Sequence, residues 1–264
     1  MQWILQEFED AFKLAAALDA LGKEYTMHKA VPFVGELSPA PVVVDPACVL
    51  LFGQYSLWRT AEREGWSPGV FRIAPFVEQV AWKPYLLNGG GRFVTLRDVP
   101  SSVEPGDELY FVRPVEDSKE MAGAVMSSDE IRAMAGRVLA LKPKEIIEGS
   151  LCHDTMLMLC EPVVILKEWR IWIVGGRIVT WSLYKDGRRV VYRHEIETEA
   201  LYFAGEMARL NPGYSPAYVM DVCRTEDGYR IIETNSINAA GFYAADLSML
   251  VAELERLGNQ PEGK

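Results

Sequence analysis

The sequence is poor in the residues that metal-centred and nucleophilic chemistry usually draws on. Of 264 residues, only three are histidine (His28, His153, His194) and four cysteine (Cys48, Cys152, Cys160, Cys223). No two cysteines stand at CxxC spacing, which argues against a zinc site. Cys152 and His153 are adjacent, and neighbours along a strand point to opposite faces, so they do not read as a nucleophile and its base. The cysteines read instead as small buried apolar residues of a reducing compartment. Basic residues are also scarce, 27 against 37 acids for a net charge of −10. No basic stripe runs along the chain, and Arg188-Arg189 is too short to make one, so a nucleic acid is disfavoured as partner. No apolar run approaches transmembrane length. The opening MQWILQEFEDAF carries acids where a secretory signal needs a basic region. A cytoplasmic protein without a membrane partner is the expectation. Gly89-Gly90-Gly91 lacks a following Gly-Lys-Ser/Thr, so it is not a phosphate loop. There is no internal repeat.

What is present is the alternation of strands and helices of an α/β unit, followed by a β-rich region. Residues 1–80 read as strands at Trp3 to Leu5, Tyr25 to Val31, Pro41 to Val44 and Cys48 to Phe52, with helices at Phe8 to Leu21 and Ser56 to Glu64. Phe76 to Leu87 has the spacing of a helix stopped by the triple glycine. Strands follow at Phe93 to Leu96 and Asp107 to Val112, and Ser127 or Ser128 caps a helix that begins with acids at Asp129. Met156 to Val164 is a long apolar run that carries Glu161. Gly175-Gly176 marks a hairpin whose first strand sets Glu168, Arg170, Trp172 and Val174 on one face. Helices at Glu197 to Ala208 and Asp246 to Leu257 complete the pattern. Residues 259–264 read as a flexible tail.

The most informative stretch is AYVMDVCRTEDGYRIIETN, residues 217–235, two apolar strands around a polar turn. A loop of Asp227-Gly228 sets Asp221 opposite Thr234. A loop of Glu226 to Gly228, with the glycine left-handed, sets Asp221 opposite Glu233 and Val222 opposite Ile232. The second is preferred, because Asn235 then shares a face with Glu233 and makes one cluster of oxygen ligands. Such a cluster suits Mg²⁺, and two carboxylates inside buried strands are costly without a cation between them.

Asp221 followed by Glu233-Thr234-Asn235 across a hairpin resembles the metal-binding end of the ATP-grasp fold. Three more stretches are similar to that superfamily in the same order: FVRP with Asp117-Ser118-Lys119, MLCEPV at 158–163, and Lys167-Glu168-Trp169-Arg170. FVRPVEDSKEMAG, KEWRIWIVGGRIV and ETNSINAAGFYAAD resemble the clade named for a conserved arginine and two lysines. Most of the superfamily has lysine where Arg113 stands, and arginine still suits polyphosphate. The resemblance implies an α+β (α/β) ATP-grasp fold with a small N-terminal pre-ATP-grasp domain at 1–80. The ATP-grasp domain would span 81–258, as subdomains 81–145 and 146–258, with Mg-ATP held between them.

By the same resemblance Arg113, Lys119 and Arg170 contact phosphates and carry the catalysis, Lys83, Glu161, Val163 and Glu168 help hold ATP, and Asp221, Glu233 and Asn235 hold Mg²⁺. Asn238, Gly241 and Tyr243 line the acceptor side. The implied activity is a carboxylate–amine ligase working through an acyl phosphate. Its substrates would be small molecules or peptides and proteins, since the branch as a whole modifies the latter. A small-molecule kinase or a non-catalytic nucleotide-binding module would use the same site, and a homodimer is open to it. Lys185-Asp186-Gly187 is similar to a covalent nucleotidyltransferase motif but lacks the intervening residue, and reads as a turn.

Overall fold

A computed structural model describes residues 1–31, 36–115, 121–147 and 150–258. The chain divides into two compact units, Met1–Phe76 with Ile165–Lys264, and Val77–Val164. The first unit begins with a sheet built from β1 (Gln2–Gln6), β2 (Tyr25–Val31), β3 (Glu36–Ser38), β4 (Val49–Phe52) and β5 (Pro68–Gly69), in the order β3-β2-β1-β4-β5. Strands β1, β2, β4 and β5 are parallel, and β3 runs antiparallel on the edge. The run Trp3-Ile4-Leu5 is buried on both faces, as a central parallel strand requires. Helix α1 (Glu9–Ala20) buries Ala11, Leu14, Ala15 and Leu18, a single stripe at helical spacing. Gly22, at φ 62°, turns the chain out of it. Helix α2 (Trp58–Glu64) follows β4.

Two expected elements are absent. Pro41 to Val44 is not a strand; the Gln2 side chain takes over its backbone pairing, donating to Val42 O (2.7 Å) and accepting from Val44 N (3.2 Å). Val44 stays 90% exposed. The expected helix from Phe76 to Leu87 is replaced by short 3₁₀ turns at Phe76–Glu78 and Lys83–Tyr85. Pro84 has no N–H to give and its ring would clash with the preceding turn, so the apolar spacing cannot be realised as a helix.

The second unit holds β6 (Arg92–Thr95), α3 (Val99–Ser102), β7 (Leu109–Pro114), β8 (Ala124–Ser127), α4 (Ser128–Leu139) and β9 (Met156–Cys160). Its antiparallel sheet has the order β6-β9-β7-β8. Ser127 caps α4 in a reciprocal box with Glu130. Val94, Val112, Leu157 and Leu159 pack one sheet face against Ile131, Met134 and Ala135 of α4 and Val99 of α3.

The first unit resumes with β10 (Lys167–Val174), β11 (Arg177–Asp186), β12 (Arg189–Arg193), α5 (Thr198–Leu210), β13 (Ala217–Thr225), β14 (Gly228–Ser236) and α6 (Leu247–Gly258). These strands make an antiparallel sheet, β12-β11-β10-β13-β14. Gly175 and Gly176 both have positive φ, 56° and 71°, which a two-residue turn matching strand twist demands. Trp172 and Val174 of β10 and Val219 of β13 enter one core with Trp3 and Leu5 of β1, Leu14 and Leu18 of α1, Leu50 of β4, and Leu250 and Leu254 of α6. Each such side chain contributes roughly 1.5–3 kcal/mol by leaving water.

Glu255 of α6 is buried beside this core. Its Oε1 accepts from Trp3 Nε1 (2.6 Å) and its Oε2 from Lys23 Nζ (3.0 Å). Burial alone would push its carboxyl up, but these two hydrogen bonds outweigh it and the pKa is lowered from 4.5. A carboxyl lowered in the fold binds fewer protons there than in the unfolded chain. Its contribution is therefore complete above 4.5 and is lost as pH falls through the folded value. Melting temperature followed from neutral pH downward should fall below about pH 4.5, and Glu255→Gln should lower it at neutral pH and make the acid limb shallower. An acid limb of unchanged slope in the variant would mean that other carboxylates account for it.

Candidate functional site

The cluster around β10, β13 and β14 depends on a bulge. The β13–β14 turn is shorter than expected: Thr225 pairs with Gly228 around Glu226-Asp227, not around a three-residue loop. The pairing then shifts by one between Asp221 and Val222, so Val222 faces Ile231 and not Ile232, while Asp221 faces Glu233. The carboxylates meet as expected, by a different route: the extra residue sits in β14 at Ile232. A bulge re-aims the side chains beyond it, and here it brings Glu233 and Asn235 onto the face of Asp221. Asn235 Nδ2 donates to Glu233 Oε1 at 3.2 Å.

Asp221 is 2% exposed and pairs across the ladder with Arg170, itself 9% exposed. Arg170 Nε donates to Asp221 Oδ1 (2.9 Å) and Nη2 to Oδ2 (2.7 Å), a two-pronged buried pair. Nη1 reaches Gly241 O at 3.4 Å. Burial works against the Arg170 charge, yet the Asp221 charge and hydrogen bonds prevail and raise its pKa. Burial pushes the Asp221 carboxyl up; Arg170 pulls it back, and the nearby Glu233 and Glu168 carboxylates push it up again.

A second bulge completes the cluster. Between Glu168/Lys185 and Trp169/Leu183 the β10–β11 register slips, leaving Tyr184 as the extra residue. Two consecutive side chains then converge on Glu168: Tyr184 Oη donates to Oε2 (2.7 Å), and Lys185 Nζ lies 2.6 Å from Oε1 as an ion contact outside hydrogen-bond alignment. Burial, then the Asp221 and Glu168 charges, push the Tyr184 hydroxyl well above 10. The sequence pattern pointed to neither Tyr184 nor Lys185, because a bulge breaks the period-two rule that such reading relies on.

Tyr243 has φ 51°, the one non-glycine residue with positive φ among those described. Its ring lies 4.8 Å from the Arg170 guanidinium and stacks on Tyr192 at 4.8 Å. Gly241 leaves room beside the pair; a Cβ there would meet Asp10 Oδ2 at 3.2 Å. Asn238 is instead buried in backbone bonding. Its side chain accepts from Phe71 N (2.9 Å) and donates to Leu51 O (2.7 Å) and Gly69 O (3.3 Å), so it clamps the β4 and β5 region to the segment after β14.

The remaining expected residues lie in the second unit. Arg113 stands on β7 in a row with Met158 and Phe93, on the sheet face turned away from α3 and α4. Phe93 and Val125 are exposed on that face. Glu161 lies beyond the end of β9 and is exposed, as is Val163, so the burial cost inferred for Glu161 within a strand does not apply. Lys83 is exposed at the start of its short turn. Lys119, with Asp117 and Ser118, lies outside the described residues.

Among the described residues no three His, Cys, Asp or Glu side chains converge on one point. Asp221 and Glu233 with the Asn235 amide supply oxygens only, and burial together with the repulsion of neighbouring carboxylates raises Asp221, a cost that a divalent cation would relieve. The set fits a hard cation such as Mg²⁺ that takes its other ligands from water and phosphate.

Breaking a buried ion pair from one side leaves the other charge uncompensated. Arg170→Met and Asp221→Leu should each cost about 3–5 kcal/mol in chemical denaturation. The double variant should cost far less than their sum. Additive losses would show that the two side chains do not act as a unit.

Over residues 16–254 the sequence matches a family model of the ATP-grasp domain, family 3 of the clade named for an arginine and two lysines. No curated protein matches it in sequence. In fold it is similar to the ATP-grasp ligase PsnB complexed with a minimal precursor, at 14% identity over 98% of this chain and 99% of that one, TM-score 0.56. It is similar to the macrocyclase MdnC bound with precursor peptide MdnA from Microcystis aeruginosa MRC, at 13% identity over 97% and 99% of the chains, TM-score 0.56. A RimK domain ATP-grasp protein from Sphaerobacter thermophilus DSM 20745 gives 12% identity over 98% and 97%, TM-score 0.58. Identities this low show a common fold, and the family match spans most of the chain. The chain belongs to the ATP-grasp superfamily, in family 3 of the arginine-and-two-lysines clade.

Proposed function

We propose that the chain is an ATP-dependent carboxylate–amine ligase that forms an amide or peptide-like bond through an acyl phosphate. The observation that carries this is the pairing of Asp221 with Glu233, with Asn235 on the same face and Arg170 locked beside them. Family membership supports it, as do the PsnB structures described as complexed with AMPPNP and with Mg and ADP. Magnesium bound by Asp221, Glu233 and Asn235 would neutralise phosphate charge. Arg170, held flat by Asp221, would offer its guanidinium to the transferring phosphoryl group without reorganising, the condition under which electrostatic stabilisation is most effective. Arg113 and Lys119 would neutralise the remaining phosphate charge, and the apolar face around Phe93 and Met158 suits a planar base. Lys83, Glu161, Val163 and Glu168 complete the ATP site in this reading, and Gly241 and Tyr243 border the acceptor. A substrate carboxylate oxygen attacks the γ-phosphorus and ADP leaves; an amine then displaces phosphate from the acyl phosphate. No side-chain nucleophile takes part. Residues 1–80 help select the acceptor, and 81–258 handle the nucleotide. PsnB and MdnC are described with precursor peptides, which favours a peptide among the substrates.

Calorimetric titration of Mg-ATP should show saturable binding to the wild type, weakened about 100-fold or more in Glu233→Ala, the scale on which losing a ligand and its support acts. Free phosphate released together with ADP, in the presence of an amine, would mark ligation, whereas phosphate retained on the acceptor would mark a kinase. A wild-type chain that binds no nucleotide with magnesium present would end this reading.

A further inference from the structure

Among the described residues strand β12 is the outer strand of its sheet and pairs with β11 alone. Val190 is 68% and Tyr192 57% exposed on it. Strand periodicity sets Val190 and Tyr192 on one face and Arg189, Val191 and Arg193 on the other. Val190 pairs with Lys185, whose ammonium contacts Glu168, and the Tyr192 ring stacks on Tyr243 against Arg170. The apolar side of this edge therefore runs straight into the ligand-bearing cluster.

The charge of the edge is opposite to that of the molecule. Arg193 is paired with Asp186 and Glu195. Among the described residues neither Arg188 nor Arg189 is in an ion pair. A chain of net charge −10 thus presents two guanidinium groups outside any ion pair at a strand with no strand on its outer side among the described residues. We propose that the β12 edge is a docking track for an extended acidic peptide, which adds to the sheet as a further strand. The main chain of β12 gives the affinity, and alternate side chains give the choice of sequence. Acids on the peptide meet Arg188 and Arg189, and apolar residues pack over Val190 and Tyr192. A second copy of this chain fits less well, because it would bring its own Arg188 and Arg189 to the same edge, like charge on like. A helix cannot satisfy the open edge, since its own N–H groups are already bonded. The proposal deepens the ligase reading, in that a track ending at Tyr243 and Arg170 would deliver a carboxylate to them, and it rests on that reading only for this last step.

The test uses the full chain with neither nucleotide nor magnesium, so failure of the ATP site leaves its outcome untouched. A short fluorescent peptide alternating glutamate and valine is titrated and followed by anisotropy. Saturable binding is expected, weakened about tenfold in Arg188→Glu/Arg189→Glu and comparably when one alternating set of peptide nitrogens, the set facing β12, is methylated, while methylating the other set leaves it unchanged. A lysine–valine peptide should not bind. The methylated peptides need no change in the protein, so a variant that fails to fold does not blunt the test. No binding of the acidic peptide, or binding indifferent to N-methylation or to charge reversal, overturns the proposal. So does a dimer in sedimentation that the charge reversal abolishes, which would assign the edge to a second copy.

Discussion

The site depends on a buried ion pair. Taking Arg170 and Asp221 out of water is expensive, and the expense is offset only while both prongs of the guanidinium are bonded to the carboxylate. That requirement fixes the relative placement of β10 and β13, since the two residues face each other across the ladder. Around them the structure adds groups that each lean on the pair: the Tyr243 ring over the guanidinium, the Gly241 carbonyl at its free edge, and the Glu168 and Glu233 carboxylates on either side. An arginine whose plane is set by packing and by a carboxylate presents its remaining N–H groups in a fixed direction. A lysine could not, because its ammonium has no plane to hold.

The same face of the sheet serves two purposes along its length. Beyond Arg170, β10 carries Trp172 and Val174 into the shared core with β1, β4, α1 and α6. The transition from charged to apolar takes one step of the strand period. The N-terminal sheet thus supports the cluster through packing, while Asn238 clamps the chain just past β14 to β4 and β5.

Much of this was legible from residue types. Apolar runs bounded by glycines located β10, β11, β13 and β14, and the repeat of acid and amide in Glu233-Thr234-Asn235 pointed to the face these residues share with Asp221. The pairing of Asp221 with Glu233 was readable, but not how it arises: a tight turn with a bulge and a wider turn without one give the same partner, and alternation cannot distinguish them. Bulges also hid Tyr184 and Lys185. Pro84 broke a helix that spacing alone suggested, and a glutamine side chain replaced a strand partner at Val42 and Val44. Strand β12 escaped notice because Arg-Val-Val-Tyr-Arg lies on an edge with little buried surface to give it a periodic signature. Glu161 misled because an apolar run outlasts its strand by several residues.

The order of segments along the chain has a consequence for its synthesis. The unit that contains the cluster is discontinuous, residues 1–76 and 165–264, with the other unit contiguous between them. Trp3, Leu14 and Leu50 emerge from the ribosome well before their core partners Leu250 and Leu254. At some 5–20 residues per second, the early apolar surface waits on the order of ten seconds or more for its cover. The contiguous unit can close on itself meanwhile. The nascent N-terminal sheet is thus the segment most exposed to misassociation, and the part of the molecule for which a chaperone would matter most.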